Sequence, residues 1–449
     1  QYGTLSEYLY SSIHQTTSSI TGCKGIGIVS DQIARLDNGL RVILREVHSA
    51  PVISFWLAYR IGSRNERTGQ TGISHWVEHM MFKGTERFPA GMLDREVDRA
   101  GGQWNAFTSM DYTMYYATLP AERISLILEA ERDRMTNALF DPNETEAERT
   151  VIISERQGSE NDPVFWLNEE IRAAAFRVHG YHHTIIGDMA DLERMTRDEL
   201  YAHYQQHYAP ANATIVCVGD FDSDEMLAQI ATVFGDAPEA PAPETFVRPE
   251  PMQQGERRVT VERPGMTSFL SIAHRVPDAN HEDWFKLDLL DSILTGPGGS
   301  VDHKTSRLYK ALVKTGIAAD IDGGLSETID PYLYNISVTL NNGVSLAEAE
   351  DALLAEIANV QENGIHEREL QRAKKQARAS FAYSTESVTN QGYWLAQSVM
   401  LGDDSWYDNY LERLNAVTVD DILDAARRYL QPRQRTVGWL VPTDAEGSQ

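Results

Sequence analysis

The sequence predicts an α+β protein of two homologous halves, each a mixed, largely antiparallel sheet packed with helices. Three observations carry that expectation. The first is an internal repeat. Thr196-Arg197-Asp198-Glu199-Leu200, then Tyr208-Ala209-Pro210, then Ala213-Thr214-Ile215-Val216 returns 222 positions later as Thr418-Val419-Asp420-Asp421-Ile422, Leu430-Gln431-Pro432 and Arg435-Thr436-Val437-Gly438. Both copies read as a helix, a proline-containing turn and a buried strand. The second is a proline-rich run from Asp236 through Pro243 and on to about Glu256, which has the composition of a linker. The third is that strand-period and helix-period segments mix within each half. The expected organisation is an N-terminal arm over residues 1–30, an α/β domain over 31–235, a linker over 236–257 and a homologous α/β domain over 258–449.

Taken in order, residues 1–30 are rich in Ser, Thr, Gly and Tyr and read as an arm ahead of the fold. Asn38-Gly39 makes a turn, Leu40 to Val47 alternates as a strand, and Val52 to Tyr59 is a second strand. Thr71 to Gly84 reads as a short helix: Thr71 or Ser74 can cap its start, no proline interrupts it, and Gly84 can stop it. Leu93 to Ala100 is another helix, ended by Gly101-Gly102. Gln103 to Thr108, a turn at Ser109 to Asp111, and Tyr112 to Leu119 form a hairpin pattern. The charged run from Pro142 to Arg156, free of proline after its start, is helical in pattern.

The chemistry concentrates in the helix at 71–84. His75 and His79 are four residues apart, so one face presents both imidazoles, and Glu78 lies beside the same stripe. Two neutral imidazoles and a carboxylate are two ligands and a base for a catalytic zinc. His-x-x-Glu-His is the inverted form of the His-Glu-x-x-His zinc-peptidase helix. The plainer alternative is an amphipathic helix whose polar face carries two histidines. A hydrolytic zinc takes a third protein ligand. Glu148 and Glu155 are seven residues apart and share a face of the helix from Pro142, though isolated glutamates there also read as solvated surface charges. His203 and His207 have the i, i+4 spacing but no acid between them, and His182-His183 are adjacent on an extended stretch, so both pairs read as structural or surface histidines.

His75-Trp76-Val77-Glu78-His79, followed 76 positions after His79 by Glu155, with Glu148 seven residues before that, resembles the pitrilysin, insulin-degrading enzyme and mitochondrial processing peptidase family of zinc peptidases. The resemblance covers nearly the whole chain after residue 30 and implies paired, homologous α/β-roll domains. It implies one Zn2+ per chain held by His75, His79 and Glu155, with Glu78 as general base and Glu148 orienting a ligand or adding local charge. It also implies that the strand matching Trp104 to Thr108 lies beside the metal and pairs with the backbone of an extended peptide substrate. Trp104, Asn105, Ala106 and Phe107 are therefore the expected substrate-binding residues, with the Asn105 amide open between a substrate contact and a structural role. The second half has no His-x-x-Glu-His. Aligning Glu146 with Glu369 sets Gln371 against Glu148 and Arg378 against Glu155, and an arginine offers no acceptor to a metal, so the site belongs to the first half.

One departure bears on assembly. Single-chain relatives carry an arginine and a tyrosine in the second half that help to hold substrate, whereas Val313 and Ala319 stand at the matching positions here. Some relatives are two-chain enzymes in which a partner supplies that pair. The expectation is a heterodimer with a second homologous subunit; the alternative is that Arg307 and Tyr309 substitute. The net charge of −26 and pI of 4.9 argue against nucleic-acid binding. Two cysteines, Cys23 and Cys217, imply no disulfide framework, and no apolar run has the length of a membrane span. A cytoplasmic location is expected; because the first residue is Gln1 and not methionine, a periplasmic or organellar one after removal of a targeting segment is the alternative. The expected function is a zinc metalloendopeptidase acting on extended peptides or small unfolded proteins. The competing reading is a non-catalytic core or assembly subunit of the same fold, which would have no use for three ligands and a base.

Overall fold

A computed structural model describes residues 31–244, 247–297 and 303–444; the expected arm at 1–30 lies outside the described residues. In chain order the first part comprises β1 (Gln32–Arg35), β2 (Arg41–Glu46), β3 (Val52–Tyr59), α1 (Ile73–Met80), α2 (Met92–Arg99), β4 (Gln103–Thr108), β5 (Thr113–Pro120), α3 (Ile124–Asn137) and α4 (Pro142–Glu160). There follow α5 (Pro163–Ala175), α6 (Met189–Arg194), α7 (Arg197–His207), β6 (Ala213–Gly219) and α8 (Ser223–Phe234). The later part comprises β7 (Arg257–Pro264), β8 (Phe269–Val276), α9 (Glu282–Leu294), β9 (Ala318–Gly324), β10 (Tyr332–Leu340), α10 (Leu346–Asn363), α11 (Glu367–Ser384), α12 (Val388–Leu401), α13 (Trp406–Ala416), α14 (Val419–Tyr429) and β11 (Arg435–Thr443).

The first compact unit holds a six-stranded sheet in the order β1-β2-β6-β3-β5-β4, antiparallel throughout except for the parallel β2–β6 pair. Period-2 alternation sends Ile53, Phe55, Leu57 and Tyr59 of β3 into a core shared with Trp76 and Val77 of α1, Ile127 and Leu128 of α3, and Ile230 and Phe234 of α8. The opposite face of β3 is buried too. Trp56 stacks on Tyr116 at 4.5 Å and meets Tyr393 of α12 at 5.8 Å, while Thr118 and Thr389 bond through their hydroxyls at 2.7 Å. A strand covered on both faces reads as a continuous apolar run, as Val52 to Tyr59 does.

The second unit holds a five-stranded sheet in the order β7-β11-β8-β10-β9, again with one parallel pair, β7–β11. Strand for strand it repeats β2-β6-β3-β5-β4, and the register repeats as well: Arg41 faces Thr214 and Arg257 faces Thr436, the two threonines being 222 positions apart. Thr196 and Thr418 each close a capping box, with Glu199 and Asp421, at the start of α7 and α14. Pro210 and Pro432 each open the short turn before the central strand. The predicted repeat is thus present in backbone detail.

The compact units do not follow the predicted boundaries. The first takes residues up to Ser154, then Ile185–Phe246 and Tyr383–Met400; the second takes Glu155–Thr184, Val247–Ala382 and the chain from Leu401. The reason is burial. Leu167 and Ile171 of α5 are buried against β11 and β7, and the segment with α12 returns to cover β3 and β5. Nor is the proline-rich stretch free along its length. Glu250 accepts backbone N–H bonds from Arg177, Val178 and His179 at 2.9, 2.8 and 3.1 Å, and Gln253 donates to the Arg435 carbonyl at 2.7 Å, which fastens its last part to the second unit.

Candidate metal centre

Helix α1 is amphipathic at close quarters: Ile73, Trp76, Val77 and Met80 are buried, and His75 and His79 turn to the partly open face. Its capping differs from the sequence expectation. Neither Thr71 nor Ser74 is the N-cap. That position is Gly72, in the left-handed region at φ 87°, and an added Cβ there would come within 2.3 Å of the Ile186 carbonyl oxygen. A glycine has no capping side chain, so a carboxylate from the preceding loop does the work. Glu66 accepts from Gly72 N–H at 2.8 Å and from Ser74 N–H at 2.9 Å. Thr71 bonds instead to Asp191, through its N–H at 3.0 Å and its hydroxyl at 2.8 Å. At the other end the helix stops at Met80, with Met81 as C-cap, four residues before Gly84, which serves a following turn at φ 90°.

The two imidazoles face each other with Nε2 atoms 3.3 Å apart and ring centroids 4.6 Å apart. Glu155, two turns beyond Glu148 on the unbroken α4, brings a carboxylate oxygen to the same place. Ligand atoms of His75, His79 and Glu155 all lie within 4.8 Å of one another, the one such group of His, Cys, Asp or Glu among the described residues. The residues fit a divalent metal on three counts. The ligand set, two imidazoles and a carboxylate, is that of hydrolytic zinc. Burial, and then the neighbouring His79 ring, push the His75 imidazole down to about 3, so it is a neutral donor. Glu148 Oε1 accepts Nδ1–H of His79 at 2.8 Å, which leaves the lone pair on Nε2. Burial opposes ionisation of Glu148, but its contacts with His79 and Lys83 outweigh it and hold the carboxyl below the usual carboxylate range.

Glu78 is buried on the same helix, and the Thr108 hydroxyl of β4 donates to its Oε2 at 2.6 Å. Thr108 in turn lies 3.4 Å from the Thr113 hydroxyl. Strand β4 is an edge of its sheet, paired only with β5 among the described residues. Its side chains alternate. Trp104, Ala106 and Thr108 share the face of α1, where Trp104 packs on Phe82 at 4.7 Å and donates to Asp94 at 3.0 Å. Phe107 points to the other face, toward Tyr393 at 6.1 Å. Asn105 is engaged within the hairpin: its side-chain oxygen accepts from Ala106 N–H at 2.8 Å, and its amide meets the hydroxyl of Tyr116 opposite.

Sequence reasoning did not reach Thr108 as a partner of Glu78, Lys83 as a partner of Glu148, or Glu66 as the cap. Only Lys83 left a trace, the i, i+4 spacing from His79. His203 and His207 pack ring to ring at 4.6 Å, His203 within 3.4 Å of the Ser74 hydroxyl, with no third ligand beside them among the described residues. Arg307, the alternative candidate for a substrate-holding arginine, already has carboxylate partners in this structure. Its guanidinium is committed in a fork to Glu369 at 2.9 and 2.8 Å and to Glu356 at 3.2 Å.

Residues 41–189 match the family described as Insulinase (Peptidase family M16), and residues 194–377 match the Peptidase M16 inactive domain. The chain is 28% identical over 414 residues to the zinc protease PqqE of Helicobacter pylori, covering 91% of this chain and 92% of that protein. It is 24% identical over 429 residues to the mitochondrial-processing peptidase subunit beta of Blastocladiella emersonii, covering 93% and 90%. The crystal structure of a protease from Helicobacter pylori superposes with a TM-score of 0.87 at 26% identity, over 92% of this chain and all of that one. A Pseudomonas fluorescens structure described as a peptidase M16 inactive domain shares the fold, with a TM-score of 0.84 at 17% identity over 93% and 99% of the two chains. The chain belongs to the pitrilysin or insulinase family, peptidase family M16.

Proposed function

We propose that this chain is a zinc metalloendopeptidase that hydrolyses extended peptides or small unfolded proteins. The observation that carries the reading is the convergence of His75, His79 and Glu155 within 4.8 Å, with Glu78 on the same helix as both histidines. Zinc held by those three side chains would supply the Lewis acidity that polarises a scissile carbonyl and acidifies water. Glu78 accepts the proton of the attacking water and passes it to the leaving amine. The Thr108 hydroxyl fixes the rotation of that carboxylate, and Glu148 holds the His79 tautomer. The open edge of β4 takes the substrate as an added strand, so main-chain hydrogen bonds hold it with little dependence on its side chains. Trp104 and Ala106 then face the catalytic helix, while Asn105 and Phe107 act from the hairpin's other side. Replacing the base tests the reading: Glu78→Gln keeps one zinc per chain and lowers kcat by about 10²–10⁴-fold. Wild-type hydrolysis by that variant would sink the assignment.

The same reading makes the chain the metal subunit of a heterodimer. Val313 and Ala319 leave the substrate-holding pair unfilled, Arg307 is committed elsewhere, and one relative is itself named as a subunit of a processing peptidase. The location we propose is the cytoplasm; a periplasmic or organellar one is the alternative, and PqqL of Escherichia coli, which shares the fold, is described as a periplasmic protease. Among the described residues no helix is long and apolar enough to cross a membrane.

A further inference from the structure

Lys83 lies four residues after His79, in the turn that closes α1. Its ammonium pairs with Glu148 Oε2, while Glu148 Oε1 accepts Nδ1–H of His79 at 2.8 Å. The Glu148 side chain is 6% exposed and that of Lys83 28%, so the carboxylate is sunk in the protein and the lysine closes over it from the solvent side. The backbone that carries Lys83 is fixed. Lys83 N–H bonds to the Met80 carbonyl at 3.0 Å, and Gly84 at φ 90° turns the chain so tightly that an added Cβ would come within 2.6 Å of Ala90 N and 2.8 Å of the Phe88 carbonyl oxygen. Leu139 N–H bonds to the Gly84 carbonyl at 3.3 Å, tying this turn to the segment just before α4. Gly84 is therefore less a helix stop than the residue that aims Lys83.

A buried carboxylate held at one oxygen can rotate; held at both it cannot. With Lys83 on Oε2, Oε1 stays on the His79 ring, and that bond decides which ring nitrogen carries the hydrogen and which keeps its lone pair toward His75 and Glu155. We propose that Lys83 is a positioning residue for metal capture, acting on His79 through Glu148. The inference rests on the metal reading of the site, and it makes the relay Lys83–Glu148–His79 one unit whose members do not contribute additively.

The test measures zinc affinity of the purified full chain by competition with a chromogenic chelator. The variants are Lys83→Met, Lys83→Arg, Glu148→Gln and the double variant Lys83→Met/Glu148→Gln. Alongside it, long-range nitrogen-15 spectra of the metal-free chain report the tautomer of His79. Lys83→Met is expected to weaken zinc binding by about 10–100-fold, the loss typical of removing an outer partner. Lys83→Arg should recover most of that loss. The double variant should bind no worse than Glu148→Gln alone, and the His79 nitrogen shifts should move in Lys83→Met but not in Lys83→Arg. Wild-type zinc affinity in Lys83→Met, or losses that multiply in the double variant, would overturn the relay while leaving the metal site standing. A wild-type chain that binds no zinc would overturn both. If Lys83→Met does not fold, the arginine variant and the tautomer readout still decide the question.

Discussion

At the scale of single residues, the site is a set of carboxylates in different settings. Glu155 reaches the two imidazoles, Glu148 lies behind one of them, and Glu78 bonds to a threonine hydroxyl. The Thr108 bond, at 2.6 Å, is the contact that fixes how the proposed base is turned. Thr108→Val keeps the shape and removes the donor. It should leave zinc content unchanged and lower kcat by about tenfold, as expected for losing one hydrogen bond of about 1.5 kcal/mol to a charged group. Steady-state kinetics beside metal analysis would check it, and an unchanged kcat would mean that Thr108 only packs. These residues were unequally legible. His75, Glu78 and His79 are spaced by the helix itself, and Glu148 and Glu155 by another, so periodicity shows both sets. That the two helices meet is a tertiary fact, and only the resemblance pointed to it. Thr108, on a strand 30 residues from Glu78, left no periodic signal.

At the scale of elements, α1 depends on a borrowed cap. Its N-cap is a glycine, and the carboxylate of Glu66 satisfies the backbone N–H groups of Gly72 and Ser74. Glu66→Ala leaves buried donors without that acceptor and should cost about 1–3 kcal/mol in denaturant unfolding. A loss under about 0.5 kcal/mol would show that the cap is dispensable. The sequence pointed to Thr71 or Ser74 because capping rules are local. Here the constraint came from elsewhere: Thr71 is taken by Asp191, and close approach to Ile186 demands a glycine at the next position. In the second unit, burial would raise the Glu369 carboxyl, but the Arg307 guanidinium and the His366 amide overcome it and bring it down to about 2. A folded pKa below the unfolded one gives stability that is present above about pH 4.5 and lost as pH falls toward about 2. The stability gap between wild type and Glu369→Gln should therefore be widest near neutrality and shrink between those limits. A gap that does not change with pH would remove the ion pair as its cause.

At the scale of the whole molecule, the chain is one design used twice, with one candidate metal-ligand group among the described residues. The repeat was readable because helix cap, proline turn and central strand recur at a fixed offset, and both sheets keep the same strand order and register. The unit boundaries were not readable, because α5 and α12 each pack into the unit their place in sequence does not suggest, and composition carries no record of that exchange. Assembly gives a prediction at this scale. Mixed with a homologous subunit that carries the arginine and tyrosine, the chain should elute as a one-to-one complex and gain peptidase activity. Full activity of the isolated chain would remove the heterodimer and keep the peptidase. The most direct test of the central claim is the hydrolysis of an unstructured peptide by the zinc-loaded chain with that subunit present, measured before chelation, after chelation and after zinc is restored. The account predicts one zinc per chain and cleavage that disappears with the metal and returns with it. Cleavage that survives chelation, or a chain that takes up no zinc, would contradict it.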